Sequence, residues 1–139
     1  MPEGTRTVSV GYFANEAPLS PPAMPQIFSE KLRDMVSRQT PLSLVSSNGD
    51  VQFEGSISDF QLTPVSVQAG DVVSKNRLTI TVRVKYTVLN DEKLNYEENF
   101  TRFADFDGNT NFSTVQNELM NEISRQICED IFNKSFNNW

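Results

Sequence analysis

Polar and apolar residues alternate without a break from Leu78 to Val88. Leu78, Ile80, Val82, Val84, Tyr86 and Val88 are apolar, and Thr79, Thr81, Arg83, Lys85 and Thr87 between them are polar. Strand side chains alternate between the two faces of a sheet, so this stretch predicts a long strand with one dry and one wet face. A similar alternation over Thr5–Phe13 predicts a first strand, with Val8, Val10 and Tyr12 on one face and Gly11 permitting a bend. Val51–Val67 reads as another long strand. Its phase slips by one residue near Ser58-Asp59, which is the mark of a β-bulge, and Pro64 suits an edge or a strand end. Leu94–Phe103 reads as the last strand, entered through a hairpin turn at Asn90–Lys93. Tyr96 and Phe100 fall on one side of it, and Glu97, Asn99 and Thr101 on the other.

The period changes in two places. Phe28, Leu32, Met35 and Val36 make one helical stripe within Gln26–Gln39, which Pro25 opens and Pro41 stops. Val115, Leu119, Ile123, Ile127 and Ile131 recur every fourth residue within Ser113–Phe136, where Ser113 and Gln116 form a capping box behind Phe112. The proline-rich Asn15–Pro25 reads as a rigid crossover connection, Gln68–Asn76 as a loop, and Leu42–Val45 as a short extension before the turn at Ser46–Asp50. The predicted order is β-α-β-β-β-α. Each helix has one apolar stripe and the strands have one apolar face. The fold class is therefore α+β: a two-layer sandwich with two helices packed on one face of a four-stranded mixed sheet, in a single domain over residues 1–139.

Composition narrows the chemistry. The net charge of −6 and the sequence pI near 4.6 oppose nucleic-acid binding. The chain has no histidine, which removes the commonest general base and metal ligand, and its one cysteine, Cys128, builds neither a disulfide nor a cysteine metal site. Cys128 borders the last helical stripe and reads as a small, partly buried residue. The run Asp105–Asn111 alternates oxygen ligands, but its glycine is fourth rather than sixth and Gln116 stands where a calcium loop needs glutamate, so it reads as a polar turn. Phosphate loops and nucleophile elbows are absent, and no cofactor is expected. No apolar run is long enough to span a bilayer, and Met1–Gly4 does not open a signal peptide. A cytoplasmic chain and a mature secreted domain both fit.

The wet face of the central strand carries the densest basic group on a regular element. Arg83 and Lys85 stand among its threonines, and Lys75 and Arg77 sit just before it. Cross-strand neutralisation, with Glu97 as one partner, is one reading. An anion site for a phosphorylated ligand, or a docking surface for a larger protein, is the other.

Several segments resemble the LptE-type lipopolysaccharide-assembly lipoproteins. They are TVSVGYFANEAP at 7–18, QFEGSISDF at 52–60, NRLTITV at 76–82, FTRFADF at 100–106 and EDIFNKSFNNW at 129–139. The resemblance runs in order over nearly the whole chain. It implies a non-enzymatic outer-membrane protein, lipidated on an N-terminal cysteine and held at the periplasmic side. Such a protein plugs the LptD barrel, helps that barrel assemble, and binds lipopolysaccharide on its way to the cell surface. It also implies two helices on one side of a four-stranded sheet. The lipidated cysteine is absent here and Cys128 lies in the last helix, so the expectation is a soluble part that begins after the anchor. Lys75, Arg77, Arg83 and Lys85 are the candidate contacts to lipopolysaccharide phosphates, on their chemistry alone. The alternative is an accessory periplasmic lipoprotein of another envelope transport machine. A small-molecule binder or enzyme would instead need a deep polar pocket between helices and sheet.

Overall fold

A computed structural model describes residues 3–65 and 75–137. In chain order the elements are β1 (Thr7–Asn15), α1 (Met24–Gln39), β2 (Ser43–Val45), β3 (Val51–Val65), β4 (Lys75–Val88), β5 (Tyr96–Asp107) and α2 (Phe112–Phe136). One mixed, five-stranded sheet runs β2-β1-β3-β4-β5. The class and layering agree with the pattern, but the sheet has a fifth strand, so the order is β-α-β-β-β-β-α. The predicted short extension is that strand: Ser43, Leu44 and Val45 lie parallel to Thr7, Val8 and Ser9. Three residues are too few for a period-two pattern to announce.

β1 also pairs in parallel with β3, on its other edge, and α1 lies in the connection between them. β3, β4 and β5 form an antiparallel meander. The phase slip read in the sequence is present: the β3–β4 register shifts between Ile57 and Asp59, which brings Phe60 and Leu62 opposite Ile80 and Leu78. A second shift, between Val10 and Phe13 of β1, corrects the sequence reading. There Phe13 is buried and Tyr12 is 77% exposed, on the face away from Val8 and Val10. Gly11 at the shift carries no side chain to hold the alternation in phase. Lys75 and Asn76, assigned to the loop, begin β4, and β5 extends to Asp107. A short 3₁₀ turn at Glu92–Leu94 occupies the predicted hairpin connection. Ser66 and Val67, which the pattern adds to the strand, and Gln68–Ser74 of the predicted loop lie outside the described residues.

Both helices cover the same sheet face. Phe28, Leu32 and Val36 of α1 and Met120, Ile123, Ile127 and Ile131 of α2 are buried with Val8, Val10, Phe53, Ile57, Ile80, Val82 and Val84 in one core. The Pro25 ring suits the first turn of α1. At the other end the Thr40 hydroxyl donates to the Val36 carbonyl at 2.6 Å before Pro41 stops the helix. The cap of α2 is not the Ser113 capping box. Asn111 caps it, its Oδ1 accepting from the Ser113 backbone N–H at 3.1 Å and from the Ser113 hydroxyl at 3.0 Å. Cys128 is fully buried rather than partly so, and burial pushes its thiol up to about 12, which keeps it protonated at neutral pH.

Polar ties fix the ends of the layers. The Asp50 Oδ2 accepts from the backbone N–H groups of Arg6 at 2.9 Å and Thr7 at 3.2 Å, and from the Thr7 hydroxyl at 3.1 Å. These donors, Arg6 first, hold its carboxyl below the usual carboxylate range. The Asp50 carbonyl accepts from Leu89 at 2.9 Å, so one residue joins the start of β1 to the end of β4. On the other flank, Arg102 of β5 makes two bonds to Asp130 of α2, at 2.7 and 2.8 Å, and Lys134 lies 3.8 Å from Glu98.

Candidate functional site: the open face of the sheet

With both helices on one face, the opposite face of the sheet is left open. The odd-numbered residues of β4 line its centre: Lys75, Arg77, Thr79, Thr81, Arg83, Lys85 and Thr87. Flanking them are Gln52, Glu54, Ser56 and Asp59 of β3 and Glu97, Asn99, Thr101, Phe103 and Asp105 of β5. Strand alternation puts all four sequence-predicted cations on this one face. It does not bring them together. At about 3.3 Å per residue, Arg77 and Arg83 stand roughly 20 Å apart along the strand. Between the two pairs runs a threonine band, in which the Thr81 and Thr101 hydroxyls are 2.9 Å apart.

Each end has its own electrostatics. Arg77 grips Asp105 through two bonds, Nε to Oδ1 at 2.7 Å and Nη2 to Oδ2 at 3.2 Å, and its guanidinium lies 3.9 Å from the centre of the Phe103 ring. The guanidinium holds the Asp105 carboxyl below the usual carboxylate range. Lys75 is exposed and adds to that effect. At the other end Arg83 pairs with Glu97, and Lys85 Nζ lies 3.9 Å from Glu54 Oε1. The cross-strand reading of the basic residues is thus present for Arg77, Arg83 and Lys85. The side chains involved at this second end are about half exposed, so these pairs set orientation and contribute little stability.

Around Arg83 and Lys85 the face dips into an open depression of about 290 Å³, lined by Tyr12, Glu16, Glu54, Gly55, Ser56 and Glu97 as well. Two cations meet three carboxylates there, so the hollow is of mixed charge. A second hollow of about 510 Å³ lies beyond Tyr12, walled by Asn15, Pro22, Pro25, Gln26, Ser29 and Arg33. Tyr12 stands between the two with its ring in solvent, and Leu19 on the proline-rich loop is 68% exposed nearby in sequence. Sequence reading missed Tyr12 and Glu16 as members of this surface, because unbroken alternation in β1 sent Tyr12 to the core. The signal was Gly11 followed by two aromatic residues in a row.

The Asp105–Asn111 run is the end of β5 followed by a turn, with Asp105 taken up by Arg77 and the later oxygens used locally. Asp107 Oδ1 accepts from the Asn109 N–H at 3.0 Å, and Asn111 caps α2. Among the described residues no helix is long and apolar enough to cross a membrane. The arrangement is a broad, flat, hydrogen-bonding face of mixed charge, edged by exposed aromatic and aliphatic side chains. Such a surface binds by docking.

Known proteins agree with this architecture. The chain is similar in fold to a minor lipoprotein from Acinetobacter baumannii, with a TM-score of 0.59 and 12% identity over 99% of this chain and 95% of that one. It is similar to the rare lipoprotein B from Shewanella oneidensis, with a TM-score of 0.57 and 12% identity over 94% of this chain and 95% of that one. A hypothetical protein from Chlamydia trachomatis also shares the fold, with a TM-score of 0.62 and 11% identity over 96% and 99% of the two chains. No match is found among curated proteins. The lipopolysaccharide-assembly family LptE matches residues 5–135, from the start of β1 to the last turn of α2, and the chain belongs to that family.

Proposed function

We propose that this chain is a non-enzymatic assembly factor that plugs an LptD-like outer-membrane barrel, helps it assemble, and binds lipopolysaccharide during delivery to the cell surface. Family membership over residues 5–135 supports the process. The carrying structural observation is that one entire face of the sheet is left open, with three of its four central cations, Arg77, Arg83 and Lys85, paired to carboxylates across strands. A face of that kind meets another protein while burying little bare charge, since the paired cations keep their carboxylates on docking. On this reading the protein acts at the periplasmic side of the outer membrane, through an N-terminal lipid anchor.

The test is a pull-down from detergent-solubilised outer membranes with tagged, full-length, lipidated protein. Recovery of a large β-barrel that survives high salt is expected. A folded, correctly localised protein that brings down no barrel defeats the plug role and leaves an accessory lipoprotein of another envelope machine in its place.

Lys75, Arg77, Arg83 and Lys85 are the proposed contacts to lipid A phosphates. Lys75 and Lys85 have the loosest carboxylate engagement of the four, so they are the cations most open to exchange a partner. Purified K75E/K85E protein should bind lipopolysaccharide about tenfold more weakly at low salt, a change of roughly 1.4 kcal/mol, and the gap should narrow as salt rises. Equal binding by the variant and the parent would remove these residues from the contact.

A further inference from the structure

The two edges of the sheet are built differently. On the β1 side, β2 covers Thr7–Ser9. Beyond it, Arg33 of α1 reaches over and donates to the Val10 carbonyl at 3.3 Å. The register shift then bends the strand between Val10 and Phe13, and the Asn15 amide donates to the Ser20 and Pro21 carbonyls of the following loop, at 3.0 and 3.1 Å. Short pairing, a bulge and a covering side chain are the devices by which proteins close an exposed edge.

β5 uses none of them. It is twelve residues long, contains no proline, and pairs with β4 from Tyr96 to Asp107 without a shift. Among the described residues no strand lies on its far side. In an antiparallel ladder the backbone groups of alternate residues point away from the neighbour, so β5 presents a row of N–H and C=O groups outward, uninterrupted by a bulge. Charges are the remaining defence of an edge, and here they are engaged within the chain. Glu97 is held by Arg83, Glu98 by Lys134, Arg102 by Asp130 and Asp105 by Arg77.

We infer that this edge pairs with the β5 edge of a second copy, antiparallel about a two-fold axis at Phe100, to give one continuous ten-stranded sheet. Residues directly opposite each other share a face, so two copies with their helices on the same side pair only positions of equal parity. Centring on Phe100 sets Glu98 against the partner's Arg102, and does so twice by symmetry. It also sets Asn99 against the partner's Thr101 and Tyr96 against the partner's Ala104. Centring on Thr101 instead puts Glu97 against the partner's Asp105, and centring on Asn99 leaves every charge facing a neutral residue. Charge complementarity therefore selects the Phe100 register. On the helix side, each Glu98–Arg102 contact joins the Lys134 and Asp130 already in place, giving a ring of alternating charge across the seam.

Sedimentation equilibrium on the 139-residue chain tests this. A concentration-dependent monomer–dimer equilibrium is expected. Asn99 and Thr101 are exposed on the open face, so N99K/T101K keeps the fold, which circular dichroism checks. That variant sets lysine against lysine at two places in the seam, and the dimer dissociation constant should rise by about tenfold or more. N99E/T101K sets glutamate against lysine at the same two places and should return the constant to near the parent value. Mixed N99C and T101C chains should form a disulfide with each other under oxidation, the native Cys128 being buried. A chain that stays monomeric at millimolar concentration overturns the inference, as does a dimer indifferent to N99K/T101K. Dissociation that N99E/T101K does not reverse, with no mixed disulfide, overturns the register and with it the interface.

Discussion

Gly55→Ala should destabilise the fold by about 3 kcal/mol, and Gly55→Val should prevent folding. Gly55 lies in the middle of β3 opposite Val84, in the longest ladder of the sheet. A Cβ there would fall 1.8 Å from the Arg83 carbonyl oxygen and 2.9 Å from its carbon, with Phe13 Cε2 3.2 Å away. The nearest obstacle is backbone, so no rotamer change relieves it. β3 must move off β4, which would break the meander at the point where it also receives β1. Urea denaturation followed by far-ultraviolet circular dichroism measures the loss. Gly11→Ala is the control: its Cβ would come no nearer than 3.4 Å to another atom, and the cost should stay below about 1 kcal/mol. A Gly55→Ala protein as stable as its parent would contradict the β3–β4 packing described here.

Phe53→Ala should cost about 3–5 kcal/mol. Phe53 is 1% exposed and lies at the centre of an aromatic group. Its ring is 4.9 Å from that of Tyr86 and 6.0 Å from that of Phe136, and Tyr86 is in turn 5.0 Å from Tyr96. These rings come from β3, β4, β5 and the last turn of α2, so the group fastens the end of the helix to three strands. Truncating Phe53 opens a cavity that no single neighbour can fill, in a fold whose whole stability is on the order of 5–15 kcal/mol. Beneath the rings, the Tyr96 and Ser135 hydroxyls are 2.7 Å apart, and the Tyr86 hydroxyl donates to the Ser135 carbonyl at 3.3 Å. Burial raises both phenols, Tyr96 to about 12, so both remain protonated across the working pH range. Phe103→Ala, on the open face and 48% exposed, should cost less than about 1 kcal/mol by the same denaturation measurement. Equal losses from the two substitutions would show that the aromatic group is not what fastens α2.

Where one physical pattern dominates, the sequence is legible. β4 alternates because one of its faces is buried in the core beneath the helix layer and the other meets water, and the helical stripes lie where the chain packs. Even the bulge at Ile57–Asp59 shows, because a phase slip in a long strand has no other cheap explanation. What the pattern hides are features set by a few residues acting on one another. β2 is three residues long. Tyr12 leaves the core because Gly11 lets β1 slip. Asn111 takes the cap from Ser113, two residues on, because its side chain accepts from both the backbone N–H and the hydroxyl of Ser113. The open face is half legible for the same reason. Alternation places Lys75, Arg77, Arg83 and Lys85 on one side, but which carboxylate each one meets depends on strand register, and register is a tertiary fact. Arg77 meets Asp105 only because β5 continues to Asp107, beyond the apolar pattern that marks its start.

The parallel placement of β1 also orders events in time. β3, β4 and β5 follow one another along the chain and close on each other antiparallel, so their contacts span short loops. β1 meets β3 only through a long closure: Val8 waits for Val51, and Thr7 for Ser43. Closure of that length carries a larger entropic cost and forms more slowly than a hairpin. β1 is therefore the last long strand to join the sheet. Until β3 is in place, the edge of β1 that it pairs with has no backbone partner, and for that interval β1 is held only by what α1 packs against it, as the Phe28 ring does against Phe13.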